Sequence, residues 1–208
     1  MLLDIYILYI HFNCGRPHLV EFEWCDKVVV DKVTLQNSPF WTSHFIYSND
    51  IRITNVTVLA PATQGNTDGF NPDSSSNVFI KDCFVSNGDD GVAIKSGLNA
   101  RGIEFGKPSE NIYIENLTTH GRGGIALGSE MSGGIRNVTI KNVRLLGQRG
   151  VHMKTTKGRG GYFEDLTFIR VSGQGIQLWD SYGSTNTSGP WSVKLHTGPP
   201  IQMFKIGV

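Results

Sequence analysis

The segment NVFIKDCFV, which begins at Asn77, recurs as NIYIENLTT from Asn111 and as NVTIKNVRL from Asn137. In each copy an asparagine precedes alternating apolar and polar residues, a pattern typical of a β-strand that buries one face. Three further segments follow the same pattern more loosely: DKVVVDKVTL from Asp26, NDIRITNVTV from Asn49 and EDLTFIRV from Glu164. We therefore expect a chain built from repeated strands rather than from helices.

The spacing of the copies indicates a solenoid. The first apolar residue of each copy follows that of the previous copy after 23, 27, 34, 26 and 28 residues, at Val28, Ile51, Val78, Ile112, Val138 and Leu166. A repeat of this length with no helical pattern between the copies predicts stacked β coils. Each coil buries its apolar face against the coils on either side, so no coil is stable alone.

Two features of the repeat bear on its surface. The asparagines that open the three best copies are expected at bends, where Asn tolerates a left-handed backbone and can form a polar ladder from coil to coil. The 34-residue step from Val78 to Ile112 contains an insertion, directly after the most acidic part of the chain. Irregular loops on one face of a solenoid are often its binding surface.

Composition limits the classes of partner. The chain has 208 residues, 19 of them basic and 18 acidic, with a pI of about 7.8. This balance gives no broad basic surface, so neither nucleic acid nor an anionic membrane is an expected partner. Nothing in the composition divides the chain, and we predict one β-helix domain over residues 1–208.

The start of the chain and its cysteines give little information about the protein's cellular location or its disulfide bonds. Residues 1–15 form an atypical apolar segment that lacks a basic leader and is too short to span a bilayer. We interpret it as a buried strand or a truncated start, with a degenerate signal segment as the alternative. Three cysteines, Cys14, Cys25 and Cys83, leave at least one thiol unpaired and are not a disulfide framework.

The acidic motif supplies the candidate chemistry. Asp68 precedes the pair Asp89 and Asp90 by 21 and 22 residues, which is close to one coil, so the three carboxylates are expected on one face. Carboxylates gathered so closely raise the pKa of one member, and an acid beside a base is what glycoside hydrolysis needs. Two other interpretations remain at this point, namely turn-forming Asp-Gly sequences and a calcium site.

Four ordered motifs resemble a known family, the polygalacturonases of glycoside hydrolase family twenty-eight. They are Asn66-Thr67-Asp68-Gly69, Gly88-Asp89-Asp90, Gly128-Ser129 and Lys154-Thr155, within a match from Arg16 to Tyr182. The resemblance implies an all-β right-handed parallel β-helix that hydrolyses α-1,4-galacturonosyl bonds with inversion. It implies neither a metal nor an organic cofactor. Relative to the family, the chain is expected to be incomplete at both ends.

The resemblance also assigns roles to residues. Asp89 corresponds to the general acid that protonates the leaving oxygen, and Asp68 and Asp90 correspond to the groups that activate water from the opposite face. Lys154 matches the lysine of the family's Arg-x-Lys motif, which grips a substrate carboxylate. Tyr182 falls near a tyrosine that contacts the sugar, although the local match is loose.

Two positions depart from the family. His152 stands where the Arg-x-Lys motif has arginine, and a neutral imidazole lacks the permanently charged fork of a guanidinium, so an altered substrate grip is expected. The family's site histidine has no clear counterpart, since alignment on Gly128-Ser129 puts Arg122 or Gly123 there. We predict that His120 reaches the aspartates from a glycine-rich loop. In the alternative, Arg122 supplies a positive charge near them.

These expectations define a function and its alternatives. The favoured function is hydrolysis of pectin by a secreted, cell-wall-directed monomer whose partner is a pectic polysaccharide. The main alternative is a pectin-binding β-helix that has lost catalysis. A calcium-dependent lyase or an adhesin on a similar β-helix is the third.

Overall fold

A computed structural model of the chain describes residues 15–183 and the short strand Lys194–Leu195. Most of the apolar N-terminal segment, including Cys14, lies outside the described residues. Cys25 and Cys83 are both free thiols. The described part contains one short helix, which is not long and apolar enough to cross a membrane.

Strands make up most of the described chain, and their bounds follow in chain order. They are β1 Val20–Glu23, β2 Asp26–Asp31, β3 Thr34–Gln36, β4 Ser43–Ile46, β5 Asn49–Thr54, β6 Thr57–Leu59, β7 Phe70–Asp73, β8 Ser76–Asn87, β9 Val92–Ile94, α1 Asn99–Phe105, β10 Ser109–Gly121, β11 Ile125–Leu127, β12 Ile135–Leu145, β13 Val151–Lys154, β14 Tyr162–Ser172, β15 Ile176–Trp179 and β16 Lys194–Leu195.

The strands form two parallel sheets. Short strands make a seven-stranded sheet in the order β1-β4-β7-β9-β11-β13-β15, which we call the short-strand sheet. The other strands make a nine-stranded sheet whose main path is β16-β14-β12-β10-β8-β5-β2, which we call the long-strand sheet. The chain passes from one sheet to the other and back in each coil. The predicted parallel β-helix is confirmed.

The register confirms the alignment of the repeat. Val28 pairs with Ile51, Ile51 with Val78, and the series continues through Ile112, Val138 and Leu166. The first five of these side chains are buried and Leu166 is partly buried. Equivalent apolar residues of successive coils therefore stack on one another. For this reason the alternation of apolar and polar residues was sufficient to predict which side chains are buried.

Left-handed bends divide each long-strand coil. Two residues per coil, five positions apart, have φ between 50° and 61°: Lys27, Asp50, Asn77, Asn111, Asn137 and Asp165 in one ladder, and Lys32, Asn55, Asp82, Asn116, Asn142 and Arg170 in the other. Nine of these twelve are Asn or Asp, the side chains that best tolerate this backbone. The asparagine ladder predicted for the first bend is present, since the Asn111 amide donates to Asn77 at 3.0 Å and that of Asn137 to Asn111 at 2.8 Å.

Asn111→Ala is expected to lower the free energy of unfolding by about 2 kcal/mol, because it removes two ladder hydrogen bonds and places a Cβ residue without a polar side chain in the left-handed region. Urea denaturation measures this change. Asn111→Gly, which also loses the ladder but accepts the backbone, should cost about half as much. Equal losses of stability in the two variants would show that the left-handed backbone at this position does not contribute to the loss.

The insertion predicted from the 34-residue step contains α1, which packs on the flank of earlier coils. The Phe105 ring lies 5.0 Å from the Tyr47 ring and 6.4 Å from that of Trp24. Asn99, at the start of the helix, accepts a hydrogen bond at 2.5 Å from Arg159, whose Nε donates at 2.9 Å to the backbone oxygen of Ser129. Through Arg159 the insertion is linked to the segment around Ser129.

Candidate active site

The acidic candidates occupy one row that runs along the stack of coils. The first residues of β4, β7, β9, β11 and β13 share one register. Two positions before them stand five residues that we call the aspartate row: Trp41, Asp68, Asp90, Gly123 and Arg149. The spacing of 22 residues between Asp68 and Asp90 is thus one coil, as the sequence predicted.

A cleft beside this row gathers most of the expected site residues. Its walls are formed by Trp41, Asn66, Asp68, Asp89, Asp90, Lys95, Gly128, Ser129, Glu130, Lys154 and Tyr182. The three aspartates, Lys154 and Tyr182 therefore come together from separate coils. His120, Arg122 and His152 do not line the cleft.

Two of the aspartates are held by cations. The Lys154 ammonium donates to Asp90 at 2.5 Å, and the two side chains are only 4% and 5% exposed. The Arg149 guanidinium donates to Asp89 at 2.7 Å and to Asp90 at 3.4 Å. Asp89, which is 24% exposed, also accepts the backbone N–H of Asn66 at 3.1 Å. Asp90 is thus a buried, neutralised carboxylate, and Asp89 is the most accessible of the three.

Asp68 has a different environment. Burial raises its pKa to about 7, and the nearby carboxylates Asp90 and Asp89 add to this shift, whereas Lys95 opposes it. The Lys95 ammonium lies 3.9 Å from Asp68 and 3.3 Å from Glu130. At mildly acidic pH the proton of the free cluster therefore resides on Asp68, although the family resemblance assigns the role of acid to Asp89.

Lys95 is a site residue that the sequence analysis missed. Its side chain is buried, and its ammonium stands 4.2 Å from the centre of the Trp41 ring. Burial lowers its pKa, but the carboxylates of Glu130 and Asp68 more than offset this effect, and the net shift is upward. Lys95 pairs in register with Asp73 on the outward face of the short-strand sheet. The alternation of inward and outward residues along this segment was the signal that could have identified Lys95 from the sequence.

The raised pKa of Asp68 predicts that stability falls as pH rises from 3.8, its ordinary value, to about 7. In this window the folded state keeps the proton and the unfolded state has lost it, so the free energy of unfolding decreases with pH. Above the window both states are ionised and the loss is complete. Urea denaturation at both ends of the window should show a flatter profile for Asp68→Asn.

The control for this prediction is Asp82→Asn, which removes a carboxyl group from an exposed bend. Its profile should run parallel to that of the unmodified chain. A profile for Asp68→Asn with the unmodified slope would show that Asp68 does not retain its proton on folding.

The expected contact of His120 with the aspartates is absent among residues 15–183. Strand β10 continues to Gly121, so alternation from the buried Thr119 turns His120 outward, where its side chain is exposed. Arg122 is also exposed, and its side chain makes no described contact with Asp89 or Asp90. The cation beside these two carboxylates is Arg149, which the sequence analysis did not single out.

His152 is buried on β13, three residues after Arg149. Its ring is 4.4 Å from that of Trp179, and its Nδ1 has no hydrogen-bond partner among the described residues. Burial lowers its pKa, so the imidazole is neutral near pH 7. Tyr182 stands nearer the cleft, with its ring centre 5.1 Å from the Lys154 ammonium.

One group of side chains in the described part has the spacing of metal ligands, and it lies apart from the aspartates. Ligand atoms of His18, Glu21 and His44 all lie within 4.8 Å of one another. The His44 ring nitrogens are already engaged, Nδ1 with Glu21 at 2.8 Å and Nε2 with Asp73 at 3.4 Å. These contacts explain the group as a hydrogen-bonded cluster. A cation at the aspartates themselves would meet the positive charges already bound there.

Comparison with known proteins places this chain in a family. The sequence model of glycosyl hydrolases family 28 matches residues 12–191. The chain belongs to this family. A probable polygalacturonase of Vitis vinifera is 44% identical over 177 residues, which cover 81% of this chain and 36% of the relative.

Two solved structures of the family share the fold. The exopolygalacturonase of Thermotoga maritima is 34% identical, with a TM-score of 0.73, and the match covers 83% of this chain and 41% of that one. The polygalacturonase of Erwinia carotovora is 26% identical, with a TM-score of 0.74, and the match covers 85% and 46%. The family 28 chain thus spans less than half the length of the relatives it matches.

Proposed function

We propose that this chain carries the catalytic centre of a polygalacturonase, which hydrolyses α-1,4-galacturonosyl bonds of pectic polysaccharides. One observation supports this most directly: three aspartates from two adjacent coils meet at one cleft in different environments. Asp68 retains a proton at mild pH because it is buried, whereas Asp89 and Asp90 contact cations. A site for acid–base hydrolysis needs this combination of a proton donor and an ionised acceptor.

The proposed reaction inverts the anomeric carbon. Asp89, the most accessible of the three aspartates, donates its proton to the glycosidic oxygen as the bond to the anomeric carbon breaks. Water attacks that carbon from the other face and gives its proton to Asp68 or Asp90. An inverting site leaves room for this water by separating acid and base by roughly 6.5–9.5 Å. The proton that Asp68 holds in the free site must pass to Asp89 before the reaction.

The substrate and its location follow from the same proposal. The substrate is a polyanion, and the cations at the cleft can bind its carboxylates. We propose an extracellular protein that acts on the cell wall as a monomer, with no nucleic acid or membrane partner and without a metal or organic cofactor.

Incubation with polygalacturonate tests this function. The expected result is release of reducing ends, with product of inverted configuration by proton NMR in the first turnovers. Chelator should have no effect, and no unsaturated, ultraviolet-absorbing product should form. Loss of activity in chelator together with unsaturated products would instead indicate a lyase and refute the proposal.

A second function, binding of pectin without hydrolysis, is favoured by one observation. His152 is neutral and buried at the position where the Arg-x-Lys motif of the resemblance has its arginine, so a charge that grips the substrate is missing from that position. Binding of oligogalacturonate without release of reducing ends would support this alternative.

A further inference from the structure

The guanidinium of Arg149 is only partly used within the protein. Nη1 donates to both Asp89, at 2.7 Å, and Asp90, at 3.4 Å. The other N–H groups, on Nε and Nη2, have no partner among residues 15–183. The side chain is 30% exposed and contacts Asp89 and Asp90, which line the cleft. We propose that this free edge of Arg149 binds the carboxylate of the sugar acid held in the cleft, an inference that rests on the proposed polygalacturonase function.

A gap in the aspartate row lets Arg149 reach the carboxylates. Gly123 lies between Asp90 and Arg149 in that row and has no side chain. A Cβ added there would lie 3.0 Å from the side-chain oxygen of Asn87 and 3.3 Å from the backbone oxygen of Asp89, so a larger residue would have to displace these neighbours slightly. Arg149 therefore extends past the intervening coil, over two strand spacings of about 4.8 Å each, to the two aspartates.

Among the cations that contact the three aspartates in the described part, Arg149 is the one that faces solvent. Lys154 is 4% exposed and is committed to Asp90. Lys95 is 5% exposed and is shared between Asp68 and Glu130. Arg149 is thus the cation beside these aspartates with the most exposed surface for a substrate carboxylate. A planar guanidinium can also bind a carboxylate through two parallel N–H groups, which a lysine cannot do.

His152 explains why this cation matters in the present chain. It is two residues before Lys154 on β13, where an arginine is expected in the motif, and its buried, neutral ring packs on Trp179 instead. Arg149 stands three residues earlier, just before the same strand. The geometry points to a positive charge that has been relocated from the strand to the preceding turn.

Binding of trigalacturonate and of its methyl ester, measured by calorimetry, tests the proposal. Arg149→Gln should weaken binding of the acid by roughly 10- to 100-fold, the value of a charge-assisted hydrogen bond, and change binding of the neutral ester far less. Arg149→Lys should recover part of the loss, because it keeps the charge without the planar fork. Arg144→Gln, on the exposed long-strand sheet, is the matched control and should bind as the unmodified chain does.

An equal loss for acid and ester in Arg149→Gln would show that Arg149 only holds the aspartates, and it would overturn the proposal. Thermal unfolding of each variant separates misfolding from loss of binding. This experiment measures binding, whereas the test of the proposed function measures hydrolysis, so the two can fail independently. A chain without hydrolytic activity can still prefer the acid to the ester, and a chain active on polygalacturonate can still lack this dependence on Arg149.

Discussion

Asp89→Asn is expected to lower the turnover of polygalacturonate by about 10²- to 10⁴-fold, the contribution of general acid catalysis. The amide has nearly the shape of the carboxyl group, and its oxygen can still accept one of the two hydrogen bonds that reach Asp89, the one from Arg149 to Oδ1 or the one from the backbone N–H of Asn66 to Oδ2. It cannot give a proton to the leaving oxygen. Binding of oligogalacturonate should therefore change little while hydrolysis is nearly lost.

Single-turnover hydrolysis and calorimetric binding, measured on the same preparation, separate these two effects. Asp82→Asn is the matched control, because it makes the same chemical change at an exposed bend away from the cleft. It should leave turnover unchanged. If Asp89→Asn retains most of its turnover, Asp89 is not the acid, and Asp68, which holds a proton in the free site, becomes the candidate.

Lys154→Met is expected to lower the free energy of unfolding by about 3–5 kcal/mol, the usual cost of removing one partner of a buried ion pair. Asp90 would remain buried, and its nearest cation would be Arg149 at 3.4 Å. The desolvated charge would then be only partly compensated. Urea denaturation with a circular dichroism signal measures the loss.

Two further variants make this prediction specific. Lys154→Met combined with Asp90→Asn removes both charges and should recover most of the stability. Lys141→Met breaks the pair of Lys141 with Glu115, which is more exposed, and should cost under about 1 kcal/mol. A loss in Lys154→Met that the double variant does not relieve would indicate a packing defect rather than an unpaired charge.

Much of the fold could be predicted because the long-strand sheet repeats a clear pattern. Alternation and the opening asparagines gave the correct register from Val28 to Leu166. The short-strand sheet left no such pattern, since its strands are only three or four residues long and several are buried on both faces. A strand of that length is too short for its period to be recognised.

The candidate site was predicted only where its residues stand close to a motif. Asp68, Asp89 and Asp90 came from their spacing, and the cleft holds all three. Lys95 and Arg149 were missed because their place in the site depends on which coil lies next to which. That relation becomes visible only when the coils are aligned on the short-strand sheet.

His120 shows the opposite error, in which a motif outweighed the strand pattern. The His-Gly pair beside the glycines suggested a loop, whereas the alternation of Leu117 and Thr119 continues through the pair. Extending that alternation by one residue would have turned His120 outward.

The aspartate row also constrains how such a protein can change in length during evolution. Its functional groups are separated by whole coils, so their distances are set in steps of about 4.8 Å by the stacking of parallel strands, and loop conformation has little influence on them. Insertion or deletion of a complete coil between Asp68 and Lys154 would shift one half of the site past the other by a full step. Complete coils can be gained or lost only outside this interval. Within it, length can vary only in outward loops such as the one that carries α1.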